Sequence, residues 1–204
     1  MPKKQDFQYS KRGLILLDRD GVLNSAVIDK EHGTIDSPLH PDQVSVFEWV
    51  PDALLKLNKL GYGLCIVTNQ PSAAKHKTTI ENLNAVHDKV LSEIQSKGAI
   101  ILSSHICFHK SEDHCSCRKP KPGLLKDAID KNHGYDLKIS WMVGDGLTDI
   151  QAGKTAGLKT AFLGPKKCDA CKIFDQAGTI PDFWCDNLDL FSHFIADQDK
   201  GEKS

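Results

Sequence analysis

The sequence predicts an α/β fold with a Rossmann-like parallel sheet and helices on both faces of that sheet. Short apolar runs of strand length alternate with longer segments whose apolar residues have helical spacing. Polar residues follow several of these runs directly, as at Asp18, Thr68 and Asp145. In a parallel sheet such residues meet at one edge, where α/β proteins bind their ligands.

The predicted strands are short apolar runs, and helical segments separate most of them. The strands cover residues 13–17, 64–67, 99–102, 141–143 and 160–163, and the helices cover 51–60, 78–96, 124–131 and 148–155. Pro51 stands in the first turn of the first helix, and Gly61 follows its end. Thr78 and Glu81 form a capping-box pattern at the start of the second helix. This alternation of strands and helices predicts parallel pairing.

The overall composition is that of an ordinary globular protein. The 204 residues are 40% hydrophobic and 26% charged, with a formal net charge of −1. We expect one domain over residues 12–196, with an N-terminal extension over 1–11 and a flexible polar tail over 197–204. The small net charge argues against non-specific nucleic-acid binding, and the lack of a long apolar run argues against a membrane span. We therefore expect a cytoplasmic monomer whose partner is a small molecule.

Two carboxylates, Asp18 and Asp20, follow the first strand, and Asp145 follows the strand at 141–143. Buried carboxylates that repel each other are costly unless a cation or a phosphoryl group lies between them. Oxygen ligands of this kind suit Mg²⁺. An isolated aspartate after a strand is more often a turn former, but three at one sheet edge predict a reaction centre.

Neutral and cationic groups at the same edge complete a phosphate-binding pattern. Thr68 and Asn69 end the strand at 64–67 and offer donors to phosphate oxygens. Lys119 or Lys121 could supply the balancing positive charge. Taken singly, these residues would be ordinary turn or surface residues.

Four motifs in this order resemble the haloacid dehalogenase superfamily of phosphatases. They are residues 18–24 (DRDGVLN), 67–70 (VTNQ), 118–123 (RKPKPG) and 143–150 (VGDGLTDI). The resemblance implies a phosphomonoesterase mechanism through an aspartyl-phosphate intermediate.

The resemblance also implies a role for individual residues. Asp18 would be the nucleophile, Asp20 the general acid and base, and Thr68 and Lys119 the groups that hold the phosphoryl oxygens. The implied Mg²⁺ ligands are the side chain of Asp18, the backbone carbonyl of Asp20 and Asp145, with Asp149 orienting them. The substrate contacts implied or expected beside them are Arg19, Asn69, Gln70, Arg118 and Lys75.

A second pattern combines three cysteines and a histidine: Cys107, His109, Cys115 and Cys117. Three thiolates and an imidazole satisfy a tetrahedral Zn²⁺ and leave no position open, which is typical of a structural site. His105 and His114 are alternatives to His109, although the spacing favours His109. The alternative interpretation is a set of reduced thiols near the surface.

The zinc pattern resembles the branch of the superfamily that contains heptose-bisphosphate and histidinol-phosphate phosphatases. In this branch a metal-bound loop, here residues 105–118, stands in place of a large cap domain. The resemblance implies removal of the 7-phosphate of D-glycero-D-manno-heptose 1,7-bisphosphate, with histidinol phosphate as the alternative substrate. It assigns Arg118 to the substrate and Lys119, rather than Lys121, to the phosphoryl group.

The chain departs from this branch in the turn at residues 71–76, where Lys75 stands about where an arginine is expected. Lysine keeps the charge but loses the bidentate fork of arginine. Asp29, Glu31 and His32 are weak substrate-contact candidates, for which surface-loop positions are the simpler interpretation. The remaining cysteines form a second group that we interpret as reduced thiols: Cys168, Cys171 and Cys185.

Two functions outside the phosphatase class also need to be weighed. A phospho-acceptor signalling domain places similar residues at the end of a parallel sheet, but it has no use for a general acid at Asp20. A zinc-bound interaction module with an inactive centre would not need all the catalytic residue types. We therefore expect a Mg²⁺-dependent phosphatase.

Overall fold

A parallel sheet forms the centre of the computed structural model, which describes residues 11–29, 33–165 and 168–201. The strands are β1 (Leu14–Leu17), β2 (Val27–Asp29), β3 (Thr34–Asp36), β4 (Gly63–Asn69), β5 (Ser103–Cys107), β6 (Trp141–Gly144), β7 (Lys159–Leu163) and β8 (Phe183–Cys185). The central sheet has the order β5-β4-β1-β6-β7-β8, and its neighbouring strands pair in parallel. From β1 the chain adds β4 and β5 on one side of the sheet, and then β6, β7 and β8 on the other side. The strand order therefore reverses between β1 and β6, which is where doubly wound folds bind ligands.

Helices cover both faces of this sheet, as the sequence predicts. They are α1 (Val50–Lys59), α2 (Ile80–Gln95), α3 (Gly123–Lys131), α4 (Leu147–Thr155), α5 (Cys168–Gln176) and α6 (Leu188–Gly201). Ile15 and Leu17 of β1 join one core cluster, which includes residues of α1, α2 and α6. Leu14 and Leu16 point the other way, into a second cluster with residues of α3 and α4. Burial on both faces explains why β1 is apolar throughout.

Two predicted boundaries are wrong. The edge strand is Ser103–Cys107 rather than 99–102, because β4 pairs with this more polar segment and leaves Ile100 half-exposed. The N-cap of α2 is Thr79, whose hydroxyl accepts a hydrogen bond from the backbone N–H of Asn82 at 3.2 Å. Thr78 instead donates its hydroxyl to the carbonyl of Leu39 at 3.0 Å, so it holds the preceding loop.

Part of the segment predicted as a polar tail is helical. Helix α6 continues to Gly201, through most of the segment predicted as a tail. Its Asp199 pairs with Arg12 at 2.6 Å, which ties the end of the helix to the start of β1. The predicted extension over residues 1–11 lies outside the described residues except for Lys11.

An unpredicted antiparallel hairpin, β2–β3, occupies the segment between Asn24 and Pro41. An ion pair of 2.5 Å between Asp36 and Lys77 joins it to the turn after β4. Glu31, His32 and the side chain of Asp29, the weak substrate candidates, lie outside the described residues.

Candidate active site

The predicted acidic residues meet at the carboxyl edge of the sheet. Asp18 follows β1, and its backbone N–H donates to the carbonyl of Val143 in β6 at 2.9 Å. Carboxylate oxygens of Asp18, Asp145 and Asp149 lie within 4.8 Å of one another. This edge is the position that the parallel topology assigns to a ligand.

A buried lysine neutralises part of this acidic group. The Nζ of Lys119 lies 3.0 Å from Asp18 and 2.6 Å from Asp149, and it donates to the carbonyl of Val67 at 2.8 Å. Burial alone would lower the pKa of Lys119, but Asp149 and Asp18 outweigh burial and raise the pKa overall. The ammonium is therefore charged and directed at Asp18.

Asn69 fixes the backbone that carries this lysine. Its side chain accepts a hydrogen bond from the N–H of Lys119 and donates to the carbonyl of Lys119, both at 3.1 Å. Lys121 is directed elsewhere, because its Nζ donates to the carbonyls of His114 and Cys115. The structure thus places Lys119, rather than Lys121, next to Asp18, and it gives Asn69 a supporting contact within the protein.

The three carboxylates of this acidic group repel one another. Although Asp145 is partly open to solvent, desolvation by the surrounding atoms and then the charges of Asp18 and Asp149 raise its pKa to about 7. Asp149 is buried, and its Oδ2 accepts the N–H of Gly146 at 3.1 Å. Burial raises its pKa to about 6, and Asp18 adds to this effect while Lys119 opposes it. Such a cluster is suited to a divalent cation held by oxygen ligands.

Two glycines make this close approach of carboxylates sterically feasible. Gly21 has φ +84°, and a Cβ atom there would lie 1.9 Å from Oδ2 of Asp145. A Cβ atom at Gly144 would lie 2.3 Å from the side chain of Asp149. Any larger residue at these positions would displace the acidic groups.

Asp20 is held apart from the other carboxylates by hydrogen-bond donors. Arg19 binds it in a bidentate manner through Nε and Nη2, each at 3.0 Å, while the amides of Asn24 and Gln70 donate to it at 2.9 and 2.6 Å. Burial acts to raise the pKa of Asp20, but Arg19 and the amides outweigh burial and lower it overall. This arrangement therefore favours the ionised carboxylate, which is the form a general base needs.

The structure differs from the sequence prediction at Arg19 and Gln70. Both were expected to contact substrate, but Arg19 is fully buried and Gln70 is 1% exposed. Arg19 donates to Asp20, and the amide of Gln70 also donates to the hydroxyl of Thr68, near the end of β4. Asn24 contributes to the same arrangement, a role that the sequence reasoning missed although the residue closes the first motif. Lys75 is exposed on the turn after β4, and its role as a substrate contact stays a prediction.

The four predicted zinc ligands converge in one cluster: Cys107, His109, Cys115 and Cys117. The sulfur–sulfur distances are 3.2 to 3.7 Å, and Nδ1 of His109 lies 3.4 and 3.5 Å from two of the sulfurs. Thiolates on one tetrahedral Zn²⁺ lie about 3.8 Å apart, which these distances approach. His105, an alternative, instead lies 3.1 Å from Ser103 on the edge strand.

The protein alone favours the thiolate at only one of these cysteines. Desolvation acts to raise the pKa of Cys115, but hydrogen bonds to its sulfur from the backbone N–H of Arg118 and from the neighbouring thiols outweigh desolvation and lower that pKa to about 7. Burial and then the neighbouring sulfurs of Cys107 and Cys115 raise the pKa of Cys117 to about 12. Burial also raises the pKa of Cys107. A metal ion would displace those protons, since thiolates are the form that binds it.

A cationic cavity lies next to the cysteine cluster and shares Lys119 with the acidic site. Arg118 donates its guanidinium to the carbonyl of His109 at 3.1 Å. The cavity has a volume of about 250 Å³, and its charged or ionisable lining residues are Lys110, His114, Arg118, Lys119 and Lys121, joined by Cys115. A carboxylate is not among the described residues that line it, so the cavity favours an anionic group.

Comparison with known proteins places this arrangement in a family. A family model described as HAD-hydrolase-like matches residues 116–189. D-glycero-beta-D-manno-heptose-1,7-bisphosphate 7-phosphatase of Neisseria meningitidis serogroup A is 36% identical over 156 residues, which cover 74% of this chain and 76% of that protein. The chain belongs to the haloacid dehalogenase-like phosphatases. It is therefore an enzyme, as the resemblance implies.

This phosphatase is also similar to a solved heptose-bisphosphate phosphatase structure and to a histidine biosynthesis protein. The crystal structure of D,D-heptose 1,7-bisphosphate phosphatase from B. bronchiseptica, complexed with magnesium and phosphate, has a TM-score of 0.75 and 28% identity, and the match covers 91% of this chain and 99% of that one. The histidine biosynthesis bifunctional protein HisB of Actinobacillus pleuropneumoniae is 35% identical over 76% of this chain and 41% of its own length. Among the described residues of this phosphatase, no helix combines the length and apolar character needed to cross a membrane.

Proposed function

We propose that this phosphatase removes the 7-phosphate of D-glycero-D-manno-heptose 1,7-bisphosphate. The observation that carries the proposal is that Lys119, which contacts Asp18, also lines a cationic cavity. One phosphoryl group would lie at Asp18, and the cavity would take the second phosphate. The names of the similar heptose-bisphosphate phosphatases support the same substrate.

In the first half of the reaction, a carboxylate oxygen of Asp18 attacks phosphorus. The bond from phosphorus to the sugar oxygen breaks, and that oxygen takes a proton from Asp20. Asp20 is ionised in the arrangement described above, so it must gain this proton as substrate binds. Lys119 and the hydroxyl of Thr68 stabilise the charge on the phosphoryl oxygens.

In the second half, Asp20 removes a proton from water, and the water oxygen attacks phosphorus of the aspartyl phosphate. The bond to Asp18 breaks, which releases phosphate and restores the carboxylate. The hydrogen bonds from Arg19, Asn24 and Gln70 favour the ionised Asp20 that this half requires.

The donor set fits Mg²⁺ at the acidic cluster and Zn²⁺ at the cysteine cluster. Asp18 and Asp145 would hold Mg²⁺ together with the backbone carbonyl of Asp20, while Asp149 orients Lys119. Mg²⁺ supplies positive charge that offsets the negative charge of the phosphoryl group. Four protein ligands would close the Zn²⁺ site, which gives that metal a structural role.

Histidinol phosphate is the second candidate substrate, because the HisB protein is similar over three quarters of this chain. Its ammonium group would meet the cations of the cavity, whereas a second phosphate would be attracted to them. The cavity therefore favours the bisphosphate.

The test is Mg²⁺-dependent phosphate release from both anomers of heptose 1,7-bisphosphate and from histidinol phosphate, measured in parallel. The proposal predicts that kcat/KM is highest for one of the heptose anomers. Preference for histidinol phosphate would contradict the substrate assignment, and a lack of release from all three would contradict the proposed function.

A further inference from the structure

Three buried polar side chains bind Asp20, and each of them keeps one polar atom without a hydrogen-bond partner among the described residues. Arg19 uses Nε and Nη2 to bind Asp20, and its third terminal nitrogen, Nη1, is buried without a hydrogen-bond partner among the described residues. The two other donors to Asp20 show the same feature. The amide oxygens of Asn24 and Gln70 are also buried and unpartnered within the described part of the chain.

His87 is a buried imidazole on the face of α2 that packs onto the sheet. It is 5% exposed, and both of its ring nitrogens lack hydrogen-bond partners among the described residues. Its helical neighbours on that face, Leu83, Val86 and Val90, are fully buried apolar residues. A buried imidazole lowers the stability of the fold unless its nitrogens form hydrogen bonds.

The packing of α2 connects His87 with the Asp20 group. Val90 and Ile94 of this helix share a core cluster with Ile15 and Leu17, the alternate residues of β1 that precede Arg19. Burial and then the positive charge of Arg19 lower the pKa of His87 to about 4, while Asp88 and Asp20 oppose that effect. At neutral pH the ring is therefore neutral, with one nitrogen that accepts a hydrogen bond and one that donates. The unpartnered Nη1 of Arg19 is a hydrogen-bond donor, and a neutral imidazole nitrogen can act as its acceptor.

We propose that His87 is a positioning residue for Asp20, and that it acts by accepting a hydrogen bond from Nη1 of Arg19 through one bridging water molecule. The guanidinium would then be fixed at both ends, by Asp20 on one side and by His87 on the other. A fixed guanidinium holds the carboxylate of Asp20 where it must exchange protons with the leaving group and with water. This inference rests on the proposed phosphatase mechanism, and it adds a residue from α2 to that mechanism.

The experiment compares three variants of the full-length enzyme. His87→Leu removes both ring nitrogens and keeps an apolar side chain, whereas His87→Gln restores an acceptor oxygen. Val86→Ala is the matched control, because it disturbs the same buried face of α2 without touching a polar group. Melting temperature and circular dichroism establish that each variant is folded.

The deciding measurement is the dependence of kcat/KM on the leaving group, across a series that runs from heptose 1,7-bisphosphate to aryl phosphates. Poor leaving groups need a proton from Asp20, while aryl oxides depart without one. We expect His87→Leu to lose about tenfold in kcat/KM on the sugar phosphate and less than about twofold on p-nitrophenyl phosphate. KM should stay within about twofold, and His87→Gln should recover most of the loss.

The outcomes separate this inference from the proposed function. An equal loss on both substrates, or no recovery in His87→Gln, would overturn the positioning role and leave a role in packing. A selective loss in Val86→Ala would overturn it as well. If the unaltered enzyme released phosphate from no member of the series, that result would instead contradict the proposed function.

Discussion

The acidic centre and the cysteine cluster both concentrate ionisable groups, but they are built in opposite ways. The acidic centre takes its side chains from distant segments of the chain, and it contains its own cation, Lys119. The four members of the cysteine cluster come from one stretch, residues 107–117, and two of its three thiols, Cys107 and Cys117, have raised pKa values. The fold balances charge at the first site, whereas only a metal would balance it at the second.

This difference predicts different responses to metal. The acidic centre should keep its shape without Mg²⁺ and lose only activity, since Lys119 and the strand ends hold it. The loop at residues 105–118 should depend on Zn²⁺ for its structure, because a closed Cys₃His site contributes directly to folding. Substitutions at single residues of the two sites test that contrast.

The largest effect is expected from Asp18→Asn. The amide is not a nucleophile, so phosphate release should fall by at least about a thousandfold while the melting temperature changes little. The control is Asp127→Asn, which alters an exposed carboxylate on α3. Normal turnover in Asp18→Asn would rule out Asp18 as the nucleophile.

Lys119→Met should reduce kcat by roughly a hundredfold, because the phosphoryl oxygens lose a buried cation. Steady-state kinetics with excess Mg²⁺ measures this loss. Lys126→Met removes an exposed lysine from α3 and should leave kcat unchanged. Equal rates in the two variants would show that the charge of Lys119 does not serve the reaction.

Cys117→Ser should release bound zinc and destabilise the fold by about 4 kcal/mol, or roughly 10 °C in melting temperature. Elemental analysis and calorimetry measure the two effects. Cys171→Ser, a thiol outside the cluster, is the control. Full zinc content and an unchanged melting temperature in Cys117→Ser would contradict a structural site.

His87 should make the fold less stable as the pH falls. Its pKa in the folded state is lowered to about 4, so between pH 6.5 and 4 the unfolded chain binds a proton that the folded chain does not. The free energy of unfolding should therefore fall by up to about 3 kcal/mol over that range. Urea unfolding at pH 7 and pH 4.5 should show a smaller difference for His87→Leu, and an identical difference would contradict the assignment.

The same contrast explains how far the sequence alone could lead. Asp18 and Asp145 follow strongly apolar runs, so their place at the carboxyl edge of the sheet is predictable from topology. The cysteine cluster is predictable because its ligands are close in sequence. Edge strand β8 and helix α6 were missed, since a strand of three residues has no measurable period and the polar end of α6 looks like a tail.

Side-chain direction within the first motif was beyond sequence reasoning. Arg19 follows a strand, and nothing local decides whether its guanidinium points to a substrate or into the protein. The fold decides the direction of the guanidinium, because Asp20 accepts hydrogen bonds from Arg19, Asn24 and Gln70 within the protein. His87 was missed for a related reason, since only the packing of α2 shows that its ring is buried.

In the proposed mechanism, the phosphoryl group is transferred to Asp18 and forms a covalent aspartyl phosphate. The most direct test is mass spectrometry of peptides from enzyme that is quenched with acid during turnover of heptose 1,7-bisphosphate. We expect one added phosphoryl group on the peptide that contains Asp18, and none in Asp18→Asn. A phosphoryl group on another residue, or turnover without any phosphorylated peptide, would contradict the account.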